Sequence, residues 1–231
     1  MSRRNKLLKF TENLTFPNVY ESFTYGSEVL KGQNGEDVTL TGQWNSKHFK
    51  NNNPITLELA CGRGEYCLGL AERYPDRNFI GVDVKGARIW RGAINAQERG
   101  LANIAFLRTK IESLALFFKP QEIESIWITF PDPFLKEAKY NRRLTSENFL
   151  KTYHSLLPKH GKIRLKTDSE PFYLHTKEVI EKEKHEIHID SPNIYLNELP
   201  HPDLDILTFY ERMHLKDERI IKYLEFSLLY D

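Results

Sequence analysis

An α/β fold built on a mostly parallel sheet is predicted by three features of this 231-residue chain. Short apolar runs alternate with amphipathic segments over most of its length, the rhythm of parallel strands joined by helices. Residues 54–60 (PITLELA) run into the turn Cys61-Gly62-Arg63-Gly64 and then into helix-spaced Leu68, Leu70, Ala71 and Tyr74, which reads as strand, glycine turn, helix. Residues 126–130 (IWITF) suit a strand buried on both faces, and it must end at Pro131-Asp132-Pro133, because neither proline can donate to a ladder.

Composition narrows the class. At 27.2 kDa and 40% hydrophobic residues, the chain has material for one sizeable core. Lys+Arg 33 against Asp+Glu 32 gives a formal charge of +1, so no global basic field exists and any nucleic-acid contact must rest on local patches. Cys61 and Cys67 are too few and too close for a disulfide framework or a tetrahedral zinc site, and read as buried reduced thiols. No apolar run reaches the roughly 18 residues of a membrane span, and the first residues have no signal-peptide core. A cytoplasmic protein without membrane contact is expected.

Taken in order, residues 1–50 lack sustained periodicity and are expected to form a partly flexible arm, packed irregularly on a domain of residues 51–231. The arm's Arg3, Arg4, Lys6 and Lys9 read, by composition, as a disordered basic tail. Glu58 stands just before the glycine turn. The second strand, residues 77–82, ends at Asp83, a position suited to the two hydroxyls of a ribose and equally to capping the helix of residues 85–99. A third strand covers residues 103–107, with Thr109 just beyond it. Asp132 lies at a strand's carboxyl end between two rigid φ angles, and Lys136, Lys139, Arg142 and Arg143 follow it. Residues 146–157 read as a helix capped by Ser146, and residues 161–167 as a strand with Lys162, Arg164 and Lys166 on one face. Asp168 closes that strand and is placed to cap the helix of residues 170–183. A strand over 185–190, a loop over 193–201 and a final aromatic and β-branched run over 219–229, suited to completing the sheet edge, finish the chain.

The glycine turn is a poor fit to G-x-G-x-x-G, so a pyrophosphate-bearing dinucleotide is disfavoured. An acid before the turn and another after the second strand better suit S-adenosylmethionine, a nucleoside cofactor with an ammonium and a sulfonium but no phosphate. The stretch Glu58-Leu59-Ala60-Cys61-Gly62-Arg63-Gly64 resembles E-[IL]-G-x-G-x-G of class I methyltransferases, with Ala60 where the first glycine is usual. Residues 130–143 (FPDPFLKEAKYNRR), residues 161–168 (GKIRLKTD) and the segment Thr208-Phe209-Tyr210-Glu211 resemble, in the same order, motifs of the bacterial tRNA (guanine-N7-)-methyltransferases. The likeness spans about residues 54 to 215.

That resemblance implies a Rossmann-like class I methyltransferase fold, with a mostly parallel seven-stranded sheet flanked by helices. It implies methyl transfer from S-adenosylmethionine to N7 of a guanine in the tRNA variable loop, by a monomer or homodimer that uses no metal. It assigns Glu58, Gly62, Gly64, Asp83 and Asp132 to the cofactor, with Thr109 where the family carries an acid for the adenine amino group. Asp132 is also the implied catalytic residue, contacting guanine or cofactor. Lys136, Arg142, Arg143, Asp168, Thr208, Tyr210 and Glu211 are implied to bind the nucleotide and its phosphates, Phe209 being only a neighbour, and the basic arm gains an implied contact with tRNA. The alternatives are a class I methyltransferase acting on another RNA or a small molecule, and a catalytically silent RNA-binding module, for which the acids at Glu58, Asp83 and Asp132 have no use.

Overall fold

The computed structural model describes residues 3–22, 24 and 26–229, and the side chains from Leu8 onward. The side chains of Arg3, Arg4 and Lys6 therefore lie outside the described residues. Helix α1 (Arg3–Asn13) leads to three short strands, β1 (Val19–Glu21), β2 (Leu30–Lys31) and β3 (Asp37–Val38). Alternation then begins: β4 (Ile55–Leu59), α2 (Glu65–Arg73), β5 (Asn78–Asp83), α3 (Gly86–Glu98), β6 (Ile104–Arg108), β7 (Ile123–Thr129), α4 (Glu147–Leu156), β8 (Lys162–Thr167), α5 (Glu170–Lys182) and β9 (Glu186–Ser191). Helix α6 (Phe209–Lys216) and strand β10 (Lys222–Ser227) close the chain.

All strands join one sheet in the order β3-β2-β1-β6-β5-β4-β7-β8-β10-β9. The strands from β6 through β8 run parallel. Their side chains are buried almost throughout, because helices cover both faces. The chain steps outward from β4 through β5 to β6, then returns to place β7 on the other side of β4. The crevice at the carboxyl ends of β4 and β7 is thus the point where the strand order reverses, which is where such sheets hold ligands.

The sheet departs from expectation in two places. It has ten strands rather than seven, because the arm contributes β1, β2 and β3, with β1 parallel to β6. Strands of two or three residues are too short to show a period, so the sequence reads as irregular there. The arm is also tied down by side chains. Asn13 Nδ2 donates to Glu21 Oε1 at 2.9 Å and to Gly86 O at 3.1 Å, and the fully buried Trp44 donates to Phe117 O at 2.9 Å while stacking on Phe118. The second departure is the final strand. Expected at the edge, β10 lies antiparallel between β8 and β9. Every residue of β10 is buried, whereas β9 alternates exposed and half-buried and is the true edge. One smaller correction concerns α5: its N-cap is Ser169, whose hydroxyl accepts from Phe172 N–H, and not Asp168.

The turn after β4 is left-handed at Ala60 (φ 55°), Gly62 (φ 58°) and Gly64 (φ 65°). A Cβ on Gly64 would come within 2.5 Å of the Phe106 ring, so that position tolerates nothing larger. At Ala60 the left-handed backbone costs roughly 1–2 kcal/mol, against about 0.5–1 kcal/mol of extra chain entropy that a glycine would lose on folding. Ala60→Gly is therefore expected to stabilise the protein by roughly 0.5–1 kcal/mol, read as a higher urea midpoint at unchanged slope. A midpoint equal to or below wild type would show that the turn carries no strain.

Candidate cofactor pocket and active site

A cavity of about 370 Å³ opens at the crevice between β4 and β7. Its floor is Glu58, only 2% exposed, whose Oε2 accepts from Cys67 N–H at 2.9 Å and whose Oε1 is hydrogen-bonded to the Thr129 hydroxyl at 2.7 Å. Burial pushes the Glu58 carboxyl up to about 8, against smaller opposing effects of those hydrogen bonds. Beside it the Cys61 and Cys67 thiols are free and buried, and burial raises both well above the ordinary thiol range, so neither is a nucleophile.

Asp83 adjoins the cavity without being part of its lining. Its Oδ2 accepts from Gly62 N–H at 2.9 Å and its Oδ1 from Lys85 N–H at 2.8 Å, so it pins the glycine turn to the end of β5 and opens α3. Thr109 is buried just past β6 and is also absent from the lining. On the other side, Phe130 takes a left-handed backbone (φ 46°), as does Phe134 (φ 41°), and these reversals fold Pro131-Asp132-Pro133 outward. Asp132 is exposed there, with Oδ1 accepting from Phe134 N–H at 3.1 Å.

The structure divides the residues expected to bind substrate. Lys136 and Arg142 are exposed, Arg142 resting its guanidinium 4.7 Å over the Phe134 ring. Asp168 accepts from Arg219 Nη1 at 2.7 Å, with His214 Nε2 3.8 Å away. Thr208 and Tyr210 line the cavity, and the Thr208 hydroxyl caps α6 by accepting from Glu211 N–H at 3.1 Å.

Arg143 and Glu211 do not fit the expectation. Arg143 is 1% exposed, donates from Nε to Pro133 O at 2.9 Å and lies 3.7 Å over the Tyr140 ring, so it braces the Pro-Asp-Pro loop from inside and cannot meet a phosphate. Glu211 is fully buried, ion-paired with Lys166 at 2.7 Å and accepting from Tyr195 O–H at 2.7 Å. Burial pulls the Lys166 ammonium down and Glu211 counters it. The strand cations expected to attract RNA are spent the same way: Arg164 pairs with Glu225 at 2.7 Å, and Lys166 also donates to Leu204 O at 2.9 Å. Alternation put these residues on one face correctly, but that face is covered by the loop before α6.

Several lining residues escaped the sequence reading: Lys9, Arg63, Glu65, Arg88, Arg91 and Phe209. Arg63 sits inside the glycine turn, and Arg88 and Arg91 are three apart on α3 and so share a face, a signal visible in the sequence. Glu65 Oε2 accepts from Phe209 N–H at 2.6 Å, which holds the start of α6 against the cavity mouth.

A family model described as a putative methyltransferase matches residues 52–223. The tRNA (guanine-N(7)-)-methyltransferase of Christiangramia forsetii is 44% identical over 229 residues, covering 99% of this chain and 100% of that protein. The enzyme of the same name from Bacteroides fragilis is 41% identical over 97% of this chain and 86% of its own length. Among solved structures, the 16S rRNA methyltransferase KamB aligns with a TM-score of 0.63 at 12% identity, over 84% of this chain and 97% of its own, a likeness of fold alone. With matching names, near-complete mutual coverage and the motifs in their expected places on a class I methyltransferase fold, the chain belongs to the tRNA (guanine-N(7)-)-methyltransferase family.

Proposed function

We infer that this protein transfers the methyl group of S-adenosylmethionine to N7 of a guanine in tRNA, in the variable loop. The observation that carries the reading is the shared rim: β4 and β7 end side by side, bringing the Glu58-floored cavity and the Asp132 loop to one crevice in a chain 44% identical to an enzyme of that name. The cavity suits the cofactor. A Cβ on Gly62 would meet only the Arg88 guanidinium at 4.0 Å, so backbone there is open to a ligand, and the buried Glu58 gives a cation a counter-charge. Glu58 and the Gly62–Gly64 turn would hold the cofactor, with Asp83 fixing the turn and Thr208 and Tyr210 closing one wall.

When bound, S-adenosylmethionine supplies an electrophilic methyl group on a positively charged sulfur. Guanine N7 already has an in-plane lone pair, so no proton leaves the attacking atom and no general base is needed. The protein's task is alignment and stabilisation of the positive charge that passes to the purine. Asp132 is placed for this at the rim: its carboxylate would accept from the N1–H and N2–H edge of guanine and favour the cation. Lys136, Arg142 and Asp168 hold the nucleotide and nearby backbone. Residues 51–231 carry the transfer and the arm adds contact with tRNA. Among the described residues no helix is long and apolar enough to cross a membrane. We place the protein in the cytoplasm with its substrate, as a monomer or homodimer.

N7-methylguanine makes its own ring and glycosidic bond labile, which gives the direct test. Unmodified tRNA incubated with protein and cofactor should become cleavable by reduction and aniline at one guanine of the variable loop. Methyl label incorporated without an aniline-sensitive site would sink the N7 assignment.

Asp132→Asn keeps the shape, removes the charge and turns one acceptor into a donor. Single-turnover methylation should slow by about 10²-fold or more, the usual cost of one transition-state contact. A wild-type rate would remove Asp132 from the chemistry.

Glu58 yields a pH dependence. Its carboxyl in the free protein is protonated below about 8, and a cationic ligand favours the carboxylate, so binding must release a proton at neutral pH. Affinity is then expected to rise by up to about tenfold per pH unit as pH climbs towards 8, and to level off above it. Calorimetry in two buffers of different ionisation enthalpy should register the released proton, and Glu58→Gln should flatten the profile. Wild-type affinity that is constant from pH 6 to 8 would refute the coupling.

A further inference from the structure

The chain has a formal charge of only +1, and several cations first expected to meet RNA are consumed inside the protein, Arg143 under the Pro-Asp-Pro loop and Arg164 and Lys166 in ion pairs. Positive charge gathers elsewhere. Lys9 of α1, Arg63 of the glycine turn and Arg88 and Arg91 of α3 all line the mouth of the cofactor cavity, against the carboxyl groups of Glu58 and Glu65. Each cation lies on an aromatic ring. Lys9 Nζ is 4.1 Å and the Arg91 guanidinium 5.2 Å from the Trp90 ring, Arg63 is 5.2 Å over Phe209, and Arg88 is 6.0 Å over Tyr210 while donating to its hydroxyl at 3.2 Å. Among the described residues, Arg63, Arg88 and Arg91 have no carboxylate within ion-pair distance. Glu58 is buried on the floor with both oxygens hydrogen-bonded, and Glu65 accepts from Phe209 N–H.

Cations held on ring faces keep their charge without a counter-ion and at small desolvation cost. Their rings are also half-exposed: Phe209 is 45% and Tyr210 42% exposed. A basic patch interleaved with open aromatic faces matches the chemistry of an unstacked nucleic-acid strand, whose phosphates take arginine and whose bases take the rings. S-adenosylmethionine, with one carboxylate, has no need of so many cations. We propose that Arg63, Arg88 and Arg91, with Lys9, form a phosphate-binding arc on the α3 side of the cavity mouth. There it would grip the RNA backbone next to the target nucleotide, across the crevice from Lys136 and Arg142. The proposal rests on the reading of RNA as substrate.

The test is the salt dependence of binding of unmodified tRNA to the full chain, followed by fluorescence anisotropy for wild type and for the triple variant Arg63→Gln, Arg88→Gln, Arg91→Gln. Each phosphate contact contributes about 0.7 to 0.9 to the slope of log affinity against log salt. The variant's slope should fall by about 2 to 2.7, with S-adenosylmethionine affinity by calorimetry retained. An unchanged slope would overturn the proposal. Lost cofactor affinity with an unchanged slope would overturn it too, assigning these cations to the cofactor carboxylate. The single variants Arg88→Gln and Arg91→Gln, each expected to lower the slope by about one contact, keep the test decisive if the triple variant folds poorly. Wild-type methylation is measured alongside. If it is absent while the slope falls as expected, the functional reading fails and the phosphate arc stands.

Discussion

Glu58 ties together three elements at the place where the sheet divides. Its two oxygens take the Cys67 amide of α2 and the Thr129 hydroxyl of β7, while its own backbone lies in β4. The crevice between β4 and β7 therefore has a hydrogen-bonded floor rather than an apolar one. An ionised carboxylate there would be costly to bury, and the structure meets the cost by raising the carboxyl to about 8. The same group shapes the cavity and gives it a site whose charge responds to what is bound.

The wall over that floor depends on a second buried polar contact. Lys166 of β8 and Glu211 of α6 are fully buried and ion-paired, and the Tyr195 hydroxyl and Leu204 carbonyl satisfy what the pair leaves over. Such a pair adds little net stability, because desolvation of two ions offsets their attraction, but removing either partner strands a buried charge. Its effect here is positional. It sets α6 so that Thr208, Phe209 and Tyr210 face the cavity mouth, where Glu65 receives the Phe209 amide. Arg143 plays the matching part opposite, holding Pro133 O so that Asp132 projects from the rim. The buried charges of this protein thus arrange the site, and exposed ones are left to meet a substrate.

Much of this was legible in sequence because it rests on local chemistry. Apolar runs of five to seven residues ended by glycine or proline gave β4, β5, β6, β7 and β8 close to their observed bounds. The motifs located the crevice, since a strand end and its turn are neighbours in sequence as well as in space. Glu58, Gly62, Thr208 and Tyr210 came to the cavity as expected, and Asp132 to its rim. The strands of the arm were hidden because two or three residues carry no period.

What only the tertiary structure decided was which polar residues face out. Arg142 and Arg143 are adjacent in the chain, yet one is exposed and the other is sealed beneath Tyr140 and the Pro-Asp-Pro loop. Lys166 looked like a surface cation until the loop carrying Leu204 and the helix carrying Glu211 covered it. The place of β10, inside the sheet rather than at its edge, was likewise set by β9 pairing with it from 30 residues or more upstream. A pattern of residue types determines strands, turns and the position of a binding crevice, because those follow from backbone sterics and local hydrophobic period. The fate of each charge depends on segments far away in sequence that pack against it, and burial rather than residue type then decides whether it holds the fold or meets a ligand.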